Sequence, residues 1–110
     1  MSGYYELKPA AGGKFMFNLK ADNHETIFTS EIYTEKSSAK TGIASVQTNS
    51  PKDDHYKRLT SKKDEPYFTL HAGNNEVIGS SEMYTSTVGR DNGITSCKKN
   101  GPTTVIKDLA

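Results

Sequence analysis

Asn23-His24-Glu25-Thr26-Ile27-Phe28-Thr29-Ser30-Glu31-Ile32-Tyr33-Thr34 is followed, 51 residues on, by Asn74-Asn75-Glu76-Val77-Ile78-Gly79-Ser80-Ser81-Glu82-Met83-Tyr84-Thr85. The likeness runs without a gap over residues 17–51 and 68–102, where 15 of 35 pairs are identical, Gly42/Gly93, Ile43/Ile94 and Pro51/Pro102 among them. A unit of about 50 residues buries too little surface to stand comfortably alone, so two copies in one chain should share a core. At 110 residues there is room for one ordinary domain. We expect a single pseudo-symmetric domain over 1–110, with repeat 1 at about 1–53 and repeat 2 at about 54–110.

Outward from that stretch, the pattern changes period twice. Lys14 to Lys20 alternates, with Phe15, Phe17 and Leu19 on one side and Lys14, Met16, Asn18 and Lys20 on the other, which predicts a strand. Tyr4 to Lys8 alternates in the same way before Pro9-Ala10-Ala11-Gly12-Gly13 is expected to break it. Asp22-Asn23-His24 and Gly73-Asn74-Asn75 suit tight turns into strands at Glu25–Ser30 and Glu76–Ser81. After Tyr33-Thr34, Ala39, Ile43 and Val46 recur at helical spacing, predicting a helix of about 13 residues capped by Thr34 or Ser37. Asn49-Ser50-Pro51 and Asn100-Gly101-Pro102 should end the two helices through a left-handed residue and then Pro. Strands at about Asp54–Leu59 and Thr104–Lys107 should be equivalent closing strands, and Thr60 to Glu65 a polar loop between the halves. Gly42 and Gly93, inside the helices, read as points of close packing against the sheet or the twin helix.

Leu, Ile, Val and Phe number only 19, but 14 basic against 13 acidic side chains give too little net charge for disorder. Twelve Thr and six Tyr suit half-buried pleated surfaces, so sheet is favoured. The same balance removes the broad electrostatic attraction that carries nucleic-acid and anionic-membrane binders. No apolar run approaches a bilayer span, and Met1-Ser2-Gly3-Tyr4-Tyr5-Glu6 lacks the regions of a leader, so a cytosolic location is expected. Cys97, alone in the chain, takes the place of Val46 and is expected to be a buried reduced thiol.

The ordered pattern of Asn23, Glu25, Ser30-Glu31-Ile32-Tyr33, Ser38-Ala39 and Gly42-Ile43-Ala44-Ser45-Val46, repeated as Asn74, Glu76, Ser81-Glu82-Met83-Tyr84 and Gly93-Ile94-Thr95-Ser96, resembles the YegP family of small bacterial proteins. The likeness covers nearly the whole chain. It implies tandem β-β-β-α-β units forming one pseudo-twofold, mainly antiparallel α+β sheet with two helices packed on it. It also implies closing strands exchanged between repeats, and single-unit relatives that reach this form as dimers. The second copy departs from the pattern at Arg90 for Ala39, Cys97 for Val46 and Pro66 for Phe15. The family carries no established activity, cofactor or catalytic residue to transfer.

Chemistry is sparse. His24, His55 and His71 have repeat partners Asn75, Ile106 and Lys20, so no symmetric site uses them; His24 in a turn and His71 on an outward strand face read as solvated. No metal-ligand spacing, nucleophile elbow or phosphate loop occurs, and neither a catalytic residue nor a cofactor is expected. Ser30, Glu31 and Tyr33, with Ser81, Glu82 and Tyr84, are the distinctive polar positions. One reading makes them two equivalent binding sites. The favoured one has Ser and Glu satisfying backbone donors near the helix start while Tyr wedges the helix onto the sheet. A second candidate partner surface combines Lys52, Lys57, Arg58, Lys62 and Lys63 with Tyr56 and Tyr67 for stacking, although Asp53, Asp54, Asp64 and Glu65 interrupt it. The expectation is a non-enzymatic structural or interaction module, monomeric as an internal pseudo-dimer, with an unidentified partner. The alternatives are weak sequence-indifferent nucleic-acid binding through Lys52–Lys63 and a small-molecule enzyme using Glu31 and Glu82.

Overall fold

Alternating side chains make two strands, β1 (Tyr4–Ala10) and β2 (Lys14–Lys20), which pair antiparallel over their full length around a turn where Gly12 and Gly13 take φ of 77° and 71°. The computed structural model describes residues 3–110, so the Met1-Ser2 part of the opening segment read for a leader lies outside it. Strand β1 continues through Pro9 and Ala10 rather than breaking there. The reason is geometric. Tyr5 N–H and Leu7 C=O face the outer edge, so Pro9, two residues further on, has its missing donor on the side that pairs with nothing beyond Leu7.

Strand β3 (Thr26–Ser30) follows a turn in which His24 has φ of 70°; the helix α1 (Lys36–Asn49) follows β3. A short 3-10 turn (Asp53–His55) leads into β4 (Tyr56–Thr60), then β5 (Pro66–His71), β6 (Val77–Ser81), α2 (Thr87–Asn100) and β7 (Ile106–Asp108). The seven strands form one sheet in the order β4-β5-β6-β3-β2-β1-β7, antiparallel except for β1 with β7. Each repeat carries the same irregularity, a register shift at Leu19/Lys20 and at Leu70/His71.

Both helices pack on one face. Tyr5, Leu7, Phe17, Leu19, Phe28, Phe68 and Leu70 meet Ala39, Ile43, Val46, Ile94 and Cys97 in a single core. The other face carries a continuous polar row in register: Lys57, Thr69, Ser80, Thr29, Asn18, Glu6 and Lys107. A sheet covered on one side needs apolar residues only at alternate positions, which accounts for the low aliphatic content.

Four expectations are corrected. Glu35, not Thr34 or Ser37, precedes α1 and supplies no side-chain cap, whereas Ser86 caps α2 by accepting from Gly89 N–H at 3.0 Å. Ser50 and Gly101 end the helices in right-handed conformations, φ −58° and −55°, their N–H groups still bonded to Val46 and Cys97 carbonyls. No left-handed residue is needed, because the last helical bond is made before Pro intervenes. The closing strands differ from one another: β4 pairs antiparallel with β5 and is the counterpart of β1, while β7 is a three-residue exposed strand lying parallel outside β1. His71 is buried, since its ring nitrogens bond the Thr69 hydroxyl (2.8 Å) and the Asn75 carbonyl (3.1 Å) rather than solvent.

The pseudo-twofold axis passes between Thr29 and Ser80, which are repeat equivalents and direct partners across the β3–β6 seam. Residues beside such an axis meet their own counterparts, and there the repeats diverge. Phe28 fills the space; its counterpart Gly79 leaves it, and a Cβ on Gly79 would run into the Phe28 ring and the Thr29 carbonyl. Ser50 and Gly101 do the same at the helix ends, where a Cβ on Gly101 would overlap the Ser50 side chain. Tyr5 and Tyr56 cross the axis, donating to the Gly101 and Ser50 carbonyls at 2.6 Å each.

The β7 strand is held by Leu109 N–H to Leu7 C=O (2.8 Å) and by Lys36 Nζ to Asp108 Oδ2 (2.9 Å). The hydrogen bond from Lys36, then that from the Ala110 N–H, holds the Asp108 carboxyl below its ordinary range. A carboxyl with a lower folded than unfolded value contributes attachment above the ordinary aspartate range and loses it as pH falls through the lowered one. Protection of the Leu109 amide, taken relative to Phe17, should therefore drop as pH falls below the ordinary aspartate range and through the lowered one. Lys36→Met should show the loosened strand throughout; a ratio flat with pH in the wild type would refute this tether.

Candidate functional site

Tyr33 stands where β3 hands over to α1. Its backbone exchanges two 2.8 Å bonds with Phe15, its ring stacks on Phe17 with centroids 6.3 Å apart, and its hydroxyl end presses against the helix at Gly42. A Cβ at Gly42 would overlap that phenol, so the helical glycine exists to admit the tyrosine. Tyr84 and Gly93 repeat the arrangement. There Pro66, lacking an N–H, only accepts a bond from Tyr84 N–H (2.9 Å).

Between α1 and the β5–β6 hairpin of the other repeat lies a cavity of about 430 Å³. Ile78, Ala72 and Gly42 supply its apolar wall; Tyr33, Glu31 and Glu76 supply its acidic and phenolic groups. Ser38, Thr41, Ser45 and Asn74 add uncharged polar atoms, and no Lys or Arg lines it. Burial first, and then the Glu31 carboxylate, hold the Tyr33 phenol above its ordinary range, so it remains a neutral hydroxyl. The counterpart set recurs around Tyr84, whose phenol is raised by burial first, then by Cys97, Glu82 and Glu25.

The sequence-derived candidates separate here. Glu31 and Tyr33 come together in the cleft, and Glu82 lies close enough to Tyr84 to act on its phenol. Ser30 and Ser81 do not join them, nor do they serve the helix start: each accepts a neighbouring strand's N–H, Phe17 at 2.9 Å and Phe68 at 3.0 Å, and donates to the next carbonyl, Glu31 or Glu82. The Glu side chains take no such role. What sequence reading missed is Glu76, and with it Glu25, which reach the site from the opposite repeat. Both sit within the matched pairs, so the signal was their identity at a turn.

The basic stretch does not assemble into one surface. Tyr56 is buried with its hydroxyl spent on Ser50, which removes it as a stacking platform. Lys57 and Arg58 point to opposite sheet faces. Arg58 lies by Asp53 (3.7 Å) and Asp91 (3.5 Å). Lys52 precedes β4 while Lys62 and Lys63 follow it, a separation of roughly 17 Å along the strand. Tyr67 is half-buried on the open face, beside Leu59.

Against known proteins, the pattern of the domain of unknown function DUF1508 matches twice, over residues 10–56 and 61–108. The chain belongs to the YegP family. It is 56% identical over 109 residues to a UPF0339 protein of Shewanella oneidensis, covering 99% of each chain, and 47% identical over 108 residues to YegP of Escherichia coli, covering 98% of each. The solution structures of these two kinds of protein superpose with TM-scores of 0.92 (56% identity, 98% of this chain and 92% of the other) and 0.93 (47% identity, 98% and 93%). Both the tandem architecture and the single mixed sheet are thus those of YegP-family proteins. The Escherichia coli structure is described as that of a protein of unknown function. Among the described residues no helix is long and apolar enough to cross a membrane.

Proposed function

We propose that this YegP-family chain is a non-enzymatic binding module of the cytosol, working as a monomer, with the inter-repeat cleft as its recognition element. The observation that carries the reading is the cleft itself, where Glu31, Glu76 and the Tyr33 phenol line an apolar wall and neither carboxylate forms an ion pair among the described residues. Pockets of this size and mixture ordinarily hold small ligands or single side chains.

The thiol, the imidazoles and the paired serine hydroxyls are engaged in the fold. Cys97 is fully buried and its thiol is pushed up to about 12 by that burial, the Tyr56 hydroxyl opposing it in part. A thiol so placed is a poor nucleophile. The rings of His24, His55 and His71 bond to Tyr4, to the His71 carbonyl and to Thr69 with Asn75, and the Ser30 and Ser81 hydroxyls bridge backbone groups.

The test is retention from a bacterial metabolite extract. A compound held by the wild type, released by Thr41→Trp at the cleft rim and recovered with unchanged mass is the expected result. Chemical conversion that disappears in Glu31→Gln with Glu82→Gln would overturn the non-enzymatic reading, and retention indifferent to Thr41→Trp would move binding away from the cleft.

A further inference from the structure

Resting on the binding reading above, we propose that the cleft between α1 and the β5–β6 hairpin takes a small organic cation, a primary ammonium or guanidinium group with a short apolar tail. The cavity provides the volume and the apolar wall of Ala72 and Ile78 for the tail. Its two ionisable acids, Glu31 and Glu76, give it a charge of one sign, since no basic side chain shares the lining.

Each carboxylate comes from a different repeat: Glu31 from the end of β3, Glu76 from the turn before β6. Both line the inter-repeat cleft, exposed and without a cationic partner among the described residues. The Tyr33 phenol, neutral and without a hydrogen bond among the described residues, offers a third oxygen in the lining. An ammonium with three donors, or a guanidinium with its fork, matches such a set of acceptors. An anion would meet only repulsion, and a neutral ligand would leave both carboxylates unanswered. The same residue types recur around Tyr84 as Glu82 and Glu25, again without a basic neighbour among the groups acting on the phenol. There Gly89 stands for Ser38, Asn92 for Thr41 and Thr26 for Val77, so any binding of the same class around Tyr84 is expected to differ in affinity.

The experiment uses the full chain and three probes of equal length: cadaverine (dication), 1,5-pentanediol (neutral) and glutarate (dianion), with agmatine as the guanidinium form. Binding is read from amide shifts of Glu31, Ser38, Asn74 and Glu76. Cadaverine or agmatine should move these amides saturably, while the diol and glutarate leave them in place. Glu31→Gln and Glu76→Gln should each weaken this site about tenfold, as expected for losing one charged acceptor, without altering the fold. Glu82→Gln should spare it and weaken the shifts around Tyr84. Equal response to the diol, a preference for glutarate, or cadaverine shifts spread over all surface carboxylates and unchanged in Glu31→Gln would overturn the proposal. If no cation binds while an extract compound is still released by Thr41→Trp, the cation assignment falls and the cleft reading stands.

Discussion

Phe28→Ala is expected to lower the unfolding free energy by about 4 kcal/mol, within the range for emptying a buried aromatic site. The ring is wholly buried on a central strand, with Ser81 opposite and Gly79 diagonally across the seam. Neither neighbour has a side chain able to fill the void, and the ladders on both sides of β3 and β6 restrain the backbone from closing it. Phe28→Leu, which keeps most of the volume, should cost about 1 kcal/mol. The complementary change, Gly79→Ala, should cost about 2 kcal/mol through overpacking. It should remain destabilising even in the Phe28→Ala background, because the Thr29 carbonyl still meets the new methyl after the ring is gone. Urea unfolding followed by circular dichroism measures all four proteins. A loss below about 1 kcal/mol for Phe28→Ala would mean that the ring does not plug the seam.

That pair also marks where reading a sequence stops. The strands were legible because Phe15, Phe17 and Leu19 alternate, and α1 because Ala39, Ile43 and Val46 keep helical spacing; both are local periodicities. Gly42 and Gly93 were legible as packing points, though only coordinates show that a tyrosine hydroxyl is what they admit. The Phe28/Gly79 and Ser50/Gly101 positions carry the opposite kind of information. They are mismatches in the repeat, and a mismatch gains meaning only once the axis is known to pass beside it. Half of the cleft was visible as Glu31 with Tyr33. Glu76 was not, because its partnership spans 45 residues and depends on how the two repeats dock. His71 was misplaced because alternation says which face a side chain takes but not whether a threonine and a carbonyl will enclose it there.

Residues 1–59 expressed alone should associate into a homodimer. That half retains β1, β2, β3, α1 and all but the last residue of β4 but loses every partner of two exposed ladders: the inner edge of β3, which pairs with β6, and β4, which pairs with β5. A second copy restores the first by the same twofold geometry, because β3 meets its own counterpart antiparallel about Thr29, whereas the counterpart of β5 is β2, whose outer edge β1 already holds, so β4 stays without its antiparallel partner. The structure adds a qualification. In the homodimer two Phe28 rings face one another where the full chain places one ring over Gly79, so the assembly is overpacked at its axis. Mixing with residues 60–110 should therefore displace the homodimer in favour of a one-to-one complex. That complex regains the β3–β6, β4–β5 and β1–β7 pairings with a single ring at the seam. Light scattering gives the masses, and native electrophoresis of the mixture gives the preference. A folded monomer of residues 1–59 at high concentration would show that one repeat covers its own core. A mixture that ignores the 60–110 fragment would show that the unequal Phe28/Gly79 pair has no part in choosing partners.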